Sequence, residues 1–242
     1  MNTIDVLYIL GTGSKYNNEE LRYSLRSLEK FGQNVGRVFI TGECPKFIDQ
    51  TKIKYLKELD IGCRAINHWW KVHQTFSKTD IGDRALLMYD DIFFCKPTDL
   101  ANYPWRWRKM LPTEKPENGY KRSLYNTFVW LKKNGLTTID YCLHQPCIYE
   151  RDKFLSMEKD FEELKLSDVA MSPRAVYANR FLSGEIEQLD DMKIKQLVPD
   201  LEELIKDRDC FSIADNCLDG PVREWCKKTF PERSKWENEN EC

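Results

Sequence analysis

No stretch of about eighteen consecutive apolar residues occurs in the 242-residue chain, which excludes a membrane-spanning helix on length alone. The opening residues, Met1-Asn2-Thr3-Ile4-Asp5, carry neither a basic segment nor a long apolar one, so no secretory leader and a cytoplasmic location are expected. Histidine is scarce, at three residues, and no CxxC pair occurs, so the familiar zinc spacings lack material. The nine cysteines are an odd, scattered set, read as free and mostly buried thiols in a reducing compartment; Cys210, Cys217 and Cys226 are poorly spaced for a metal cluster. Charge of one sign is lacking too. A net charge of −2 supplies no global field for nucleic acid or membrane, so any polyanion must meet a local patch. What is present is ordinary for a globular protein, with 41% hydrophobic and 31% charged residues. No linker is long or polar enough to divide the chain, and one α/β domain over residues 1–242 is expected.

Residues 4–10 (IDVLYIL) are rich in β-branched and aromatic side chains and predict a buried strand. Gly11, Thr12, Gly13, Ser14 and Lys15 follow. Residues 19–30 then place Leu21, Leu25 and Leu28 on one helical face, with Gly32 as the stop. Residues 38–41 predict a second strand. Strand, glycine-containing loop, helix and strand make a βαβ opening, and such folds bind ligands at the C-terminal ends of their strands. The loop can offer backbone N–H groups to phosphate, although it is neither a GxGxxG fingerprint nor a P-loop.

Residues 66–76 (INHWWKVHQTF) predict a helix with Asn67 and Lys71 one turn apart on one face. His68 and His73 are five apart, share no face well, and are read as surface or packing residues. Residues 84–89 predict a strand running into Asp90-Asp91-Ile92-Phe93-Phe94. Two adjacent carboxylates at the end of a buried strand repel each other unless a cation or donors compensate, which points to metal or substrate duty. Residues 97–133 concentrate proline, tryptophan and basic residues, including Trp105-Arg106-Trp107-Arg108-Lys109, and read as a lid or acceptor-side insertion. Such a mixture can stack bases or sugars and hold phosphate; packing of the tryptophans on the core is the plainer alternative. Further helices are expected near 151, over 155–169, over 172–181 and over 221–230, with a strand at 210–213. Residues 185–198 read as polar surface.

In this order, four blocks resemble the Stealth family of sugar-phosphate and glycosyl transferases, whose members tag lysosomal enzymes or build capsular polysaccharide. The first joins residues 4–8 to Glu20-Leu21-Arg22-Tyr23-Ser24-Leu25-Arg26-Ser27-Leu28. The second is Leu86-Leu87-Met88-Tyr89-Asp90-Asp91-Ile92-Phe93-Phe94, preceded by the Asn67 and Lys71 helix. The third is His144-Gln145-Pro146 with its following basic residue, Arg151. The last joins Phe211-Ser212-Ile213-Ala214-Asp215-Asn216 to Phe230-Pro231-Glu232-Arg233-Ser234-Lys235-Trp236-Glu237. The chain departs from the family at two points. Ile9-Leu10-Gly11-Thr12-Gly13-Ser14 replaces a Trp-Val-Asp-Gly-Ser motif, and the D-x-D of metal-dependent glycosyltransferases falls on Tyr89-Asp90-Asp91.

The resemblance implies a nucleotide-sugar transferase with a GT-A-like Rossmann core, a central mostly parallel sheet flanked by helices. It implies Mg²⁺ or Mn²⁺ held by Asp91 and Asp215 with Asp90 beside them, if the last block folds back on the second. Arg174, with Arg180 as second choice, is expected on the diphosphate, Lys71 and Asn67 on donor phosphate or sugar, and Gly11, Thr12, Gly13 and Ser14 under the nucleotide. His144 is the first candidate for general base, because histidine ordinarily titrates near neutral pH, and Asp90 the second. Glycosyl transfer from a nucleotide-sugar donor leads; sugar-1-phosphate transfer and a non-catalytic binding module are the alternatives. The acceptor is read as a glycan or a hydroxymethylated base in DNA.

Overall fold

The computed structural model describes residues 3–12, 14–117, 119–162 and 170–238. Its centre is a five-stranded sheet in the order β11-β5-β1-β3-β4. Here β1 is Ile4–Leu10, β3 Val35–Gly42, β4 Lys54–Leu56, β5 Arg84–Met88 and β11 Cys147–Glu150. The first four run parallel and β11 runs antiparallel along β5 at one edge. The apolar run of β1 follows from burial on both faces, as parallel strands require. Its Val6, Tyr8 and Leu10 face α1 (Glu19–Phe31), and its Leu7 and Ile9 face α2 (Arg64–Lys78). This is the α/β architecture that the sequence predicts, with a mostly parallel sheet between helices. No helix among the described residues is long and apolar enough to cross a membrane. All described cysteines are free thiols, and Cys242 lies outside the described residues.

A smaller sheet, β13-β14-β6, stands beside the first, built from β6 (Ile92–Phe94), β13 (Lys193–Ile194) and β14 (Cys210–Ile213). Three two-stranded ribbons complete the strands: β2 (Gly32–Gln33) with β7 (Thr98–Asp99), β8 (Arg106–Trp107) with β12 (Glu187–Gln188), and β9 (Lys109–Met110) with β10 (Ile139–Asp140). The remaining helices are α3 (Gly119–Lys133), α4 (Arg151–Leu155), α5 (Glu158–Glu162), α6 (Pro173–Phe181), α7 (Leu201–Ile205) and α8 (Pro221–Thr229). The helix expected near residue 151 is α4; of the one expected over 155–169 the described part is α5, and residues 163–169 lie outside the described ones.

The residue pattern of the first and last sequence blocks has a packing cause. Two buried serines of α1 serve β6: Ser24 Oγ donates to the Ile92 carbonyl at 2.6 Å, and Ser27 Oγ accepts from the Phe94 amide at 3.0 Å. Small hydroxyl side chains let the strand approach while satisfying its backbone. Arg26 donates to both oxygens of Glu237 at 2.8 Å and Arg22 to one at 3.2 Å, while Ser234 donates to Glu237 through its amide and hydroxyl at 2.9 and 3.1 Å. The first block therefore clamps both the second and the last.

Gly42 ends β3 at a φ of +121°, where a Cβ would stand 2.0 Å from the Leu10 carbonyl oxygen. Both the backbone angle and the close approach require glycine. Gly42→Ala is expected to cost at least about 2 kcal/mol, read as a lowered midpoint in urea unfolding with an unchanged slope.

Candidate active site

Parallel pairing brings the C-terminal ends of β1, β3 and β5 to one edge. Leu10 pairs with Gly42 and Tyr8 with Met88, so the segments after Leu10, Gly42 and Met88 leave the sheet together. A cleft of about 220 Å³ opens there, lined by Leu10, Thr12, Gly42, Tyr55, Asp60 and Lys71 among others. Lys71 reaches it from α2 through a buried stem, and its ammonium donates to the Leu10 carbonyl and to Asp60 Oδ1, both at 2.5 Å. One expected donor-binding residue has a different duty. Asn67 Oδ1 accepts from the Ile61 and Gly62 amides and its Nδ2 donates to the Gly62 carbonyl, so it ties the loop before α2 and does not face the cleft with Lys71. Gly11 and Thr12 are exposed at the rim, while Gly13 lies outside the described residues. Ser14 Oγ accepts from the Tyr16 and Asn18 amides and shapes the turn into α1.

The strand end after Met88 carries the paired carboxylates. Burial, the charge of Asp91 and that of Glu20 push the Asp90 carboxyl up to about 7. Asp91 Oδ2 accepts from Lys193 Nζ and Ser212 Oγ, each at 3.1 Å. The last block folds back on the second: β14 pairs antiparallel with β6, and the Ile213 amide donates to the Asp91 carbonyl at 3.1 Å. Asp215 follows two residues later, exposed at the same edge. No group of three or more acidic, histidine or cysteine side chains poised to hold a metal stands among the described residues. Mg²⁺ and Mn²⁺ nonetheless suit this set, because such ions take one or two carboxylates and complete their shells with water and substrate phosphate.

His144 arrives at that edge from the opposite side. Cys147 pairs with Leu87 in the antiparallel register of β11 and β5, which sets the three residues before Cys147 alongside those after Leu87. The His144 ring is held by Asp191: Nδ1 lies 3.0 and 3.2 Å from its two oxygens, and the His144 amide donates to Oδ1 at 3.2 Å. Burial opposes ionisation of Asp191, but the bonds and charge of His144 and the charge of Lys195 outweigh it and hold the carboxyl well below its usual range. When the ring is neutral, an ionised Asp191 favours the proton on Nδ1, so that Nε2 presents its lone pair. Arg174 corrects a further expectation. It is buried, with its guanidinium donating to the Leu143 carbonyl, to the Gln145 carbonyl at 2.7 Å and to Cys147 Sγ at 3.1 Å. It grips the carbonyls on either side of His144 and so positions that loop instead of meeting a diphosphate. Arg180 pairs with Asp160 at 2.7 Å, about 9 Å farther along α6 than Arg174.

His68 is partly buried beneath this edge between two hydroxyls, Tyr89 at 2.8 Å from Nδ1 and Tyr149 at 3.2 Å from Nε2. Burial first, then the charge of Arg174, pushes it down to about 3, so it stays neutral as a packing element. Within the 97–133 stretch, the run Trp105 to Arg108 is also committed inward, while Lys109, Lys115, Lys121, Lys132 and Lys133 are exposed. Trp105 stacks on Tyr177 at 5.7 Å and donates to the Ile148 carbonyl, and Trp107 donates to the Ile186 carbonyl. Arg106 pairs with Glu187 and Asp209, and Arg108 with Asp140 and Asp191. These two arginines are neutralised and so are not free to meet a DNA backbone.

Sequence reasoning missed Asp191 and Lys193, because residues 185–198 read as polar surface. The available signal was the alternation in Asp191-Met192-Lys193-Ile194-Lys195, with apolar Met192 and Ile194 between charges, which is a strand period. Asp60, the partner of Lys71, carried no signal of its own.

No protein-family model matches the sequence, and no curated protein sequence matches it either. Solved structures do. One, an active-site mutant of LgtC, aligns with a TM-score of 0.52 and 9% identity over 96% of this chain and 98% of that one. Another, the galactosyltransferase LgtC in complex with donor and acceptor sugar analogs, aligns at 0.49 and 10% over the same shares. At such identity the likeness is one of architecture. The chain has the GT-A-like α/β fold of LgtC, with its carboxylates and His144 gathered at the sheet edge where the parallel strands end.

Proposed function

We propose that the chain is a glycosyltransferase using a nucleoside diphosphate sugar. The observation that carries the reading is the convergence of Asp90 and Asp91, the His144–Asp191 pair and the Lys71 cleft at one edge of the sheet. That LgtC is a galactosyltransferase lends it support. The nucleotide occupies the cleft bounded by Leu10, Thr12, Gly42 and Lys71, with the diphosphate directed toward Asp91. Asp91 and Asp90, with Asp215 near them, would hold Mg²⁺ or Mn²⁺, which when bound neutralises charge on the leaving diphosphate. His144 Nε2 takes the proton of the acceptor hydroxyl as that oxygen bonds to the sugar carbon and the bond from carbon to diphosphate oxygen breaks. Asp191 stabilises the resulting imidazolium, and Arg174 holds the loop on which it sits. The 97–133 element forms the acceptor side of a single domain, and a glycan is the acceptor that its inward-turned arginines favour.

A second reading, transfer of a sugar 1-phosphate as in the Stealth family, draws on the meeting of the resembling blocks, Arg22 and Arg26 with Glu237 and β6 with β14. The coproduct separates the two: a nucleoside diphosphate for sugar transfer, a monophosphate for sugar-phosphate transfer, resolved by chromatography. Donor binding itself is tested by thermal shift across nucleoside diphosphates and their sugars, with and without Mn²⁺. A ligand at a hundred times its Kd is expected to raise Tm by about 5–10 °C. Failure of every such nucleotide to stabilise the chain overturns the reading.

A further inference from the structure

Resting on that reading, we propose that Lys193 and a divalent cation are alternative counter-ions of Asp91, so that the ion binds weakly to the protein alone and enters with the donor's diphosphate. Lys193 sits on β13, fixed by the Ser212 amide donating to the Met192 carbonyl at 3.1 Å and the Ala214 amide to the Ile194 carbonyl at 2.8 Å. Its ammonium lies 3.1 Å from Asp91 Oδ2, and the two side chains are only 16% and 23% exposed. Ser212 Oγ occupies the same oxygen. The oxygen a metal would seek thus already carries a full positive charge and a hydroxyl donor.

Two further carboxylates, Asp90 and Glu20, stand by this pair. Asp90 and Asp91 adjoin, Glu20 acts on Asp90 through its charge, and Glu20 Oε2 is buried with no hydrogen-bond partner among the described residues. A divalent ion is attracted by these carboxylates and repelled by the ammonium a few ångströms away. The lysine backbone is pinned by the sheet, but its four-carbon side chain can swing from Asp91 to a phosphate oxygen. The diphosphate therefore removes the obstacle twice, by supplying oxygen ligands for the ion and by accepting the displaced ammonium.

The test measures Mn²⁺ bound to the full chain by electron paramagnetic resonance, first with Mn²⁺ alone. Lys193→Met is expected to bind Mn²⁺ about tenfold more tightly than wild type, Lys193→Arg to behave like wild type, and Asp91→Asn to lose the site. Nucleoside diphosphates should tighten Mn²⁺ binding in both wild type and Lys193→Met through their oxygen ligands, and by about tenfold more in wild type than in Lys193→Met. Lys193→Gln replaces the methionine variant if the latter melts early. Unchanged or weaker Mn²⁺ binding in a folded neutral variant, with Asp91→Asn still losing the ion, overturns the competition and leaves the transferase reading intact. Mn²⁺ binding by no form of the protein overturns it too, while thermal stabilisation by nucleoside diphosphates without metal then reports separately on the donor site.

Discussion

Asp191→Asn is expected to lower kcat by about 10²–10⁴-fold while leaving the nucleotide-induced thermal shift in place. The carboxylate accepts on both sides. His144 Nδ1 and amide approach it from one direction, and the Arg108 and Lys195 cations lie 3.5 Å from Oδ2 on the other. An asparagine amide has one accepting and one donating end. With its nitrogen toward Arg108 and Lys195 it meets two donors; flipped, it meets the His144 N–H and drives the proton to Nε2. Either arrangement disturbs the His144 ring, whose Nε2 is the proposed acceptor of the substrate proton. His144→Ala should lose as much, and the double variant no more than His144→Ala alone, because residues acting as a unit do not add. Steady-state kcat and KM for all three variants check this, with the loss falling on kcat. An Asp191→Asn enzyme that turns over at the wild-type rate removes His144 from the chemistry.

The second large effect is on stability. Glu237→Gln is expected to destabilise the fold by about 3–5 kcal/mol, because it leaves Arg22 and Arg26 facing a neutral amide where their buried counter-ion had been. The Glu237 side chain is fully covered and accepts from both arginines and from Ser234. Burial raises its pKa, but the Arg26 bonds, the Ser234 amide and the charge of Arg26 outweigh this and hold it below its ordinary 4.5. A depressed carboxylate stabilises the folded state fully above the unfolded value and loses that contribution as the pH falls through the folded one. The Tm gap between wild type and Glu237→Gln should therefore be widest above about pH 5 and close progressively below about 4.5. A gap that is flat through acid pH, or a variant as stable as wild type, refutes the clamp.

Much of the fold was legible because the local signals agreed. IDVLYIL reads as a strand buried on two faces, and Leu21, Leu25 and Leu28 define the face of α1 that covers it. The carboxylates were legible for the same reason. A buried strand running into Asp90-Asp91 is a conflict between burial and charge, and burial with the neighbouring Asp91 charge pushes the Asp90 carboxyl up. Roles for single polar residues were less readable. Asn67 and Lys71 share a helix, yet one ties a loop and the other enters the cleft, and the difference lies in Gly62 and Asp60, outside that helix. Arg174 follows the His144 motif as expected of a ligand-binding arginine, but the carbonyls it binds are those of the motif itself.

The sequence by itself determined the parallel α/β sheet and the acidic strand end at its edge, because strand period, helix period and burial are local properties of the chain. Only the tertiary structure decided the partners. Asp191 reached His144, Lys193 reached Asp91 and Glu237 reached Arg26 across separations of 47, 102 and 211 residues, and each pairing depends on β-sheet register and helix packing that no local pattern records.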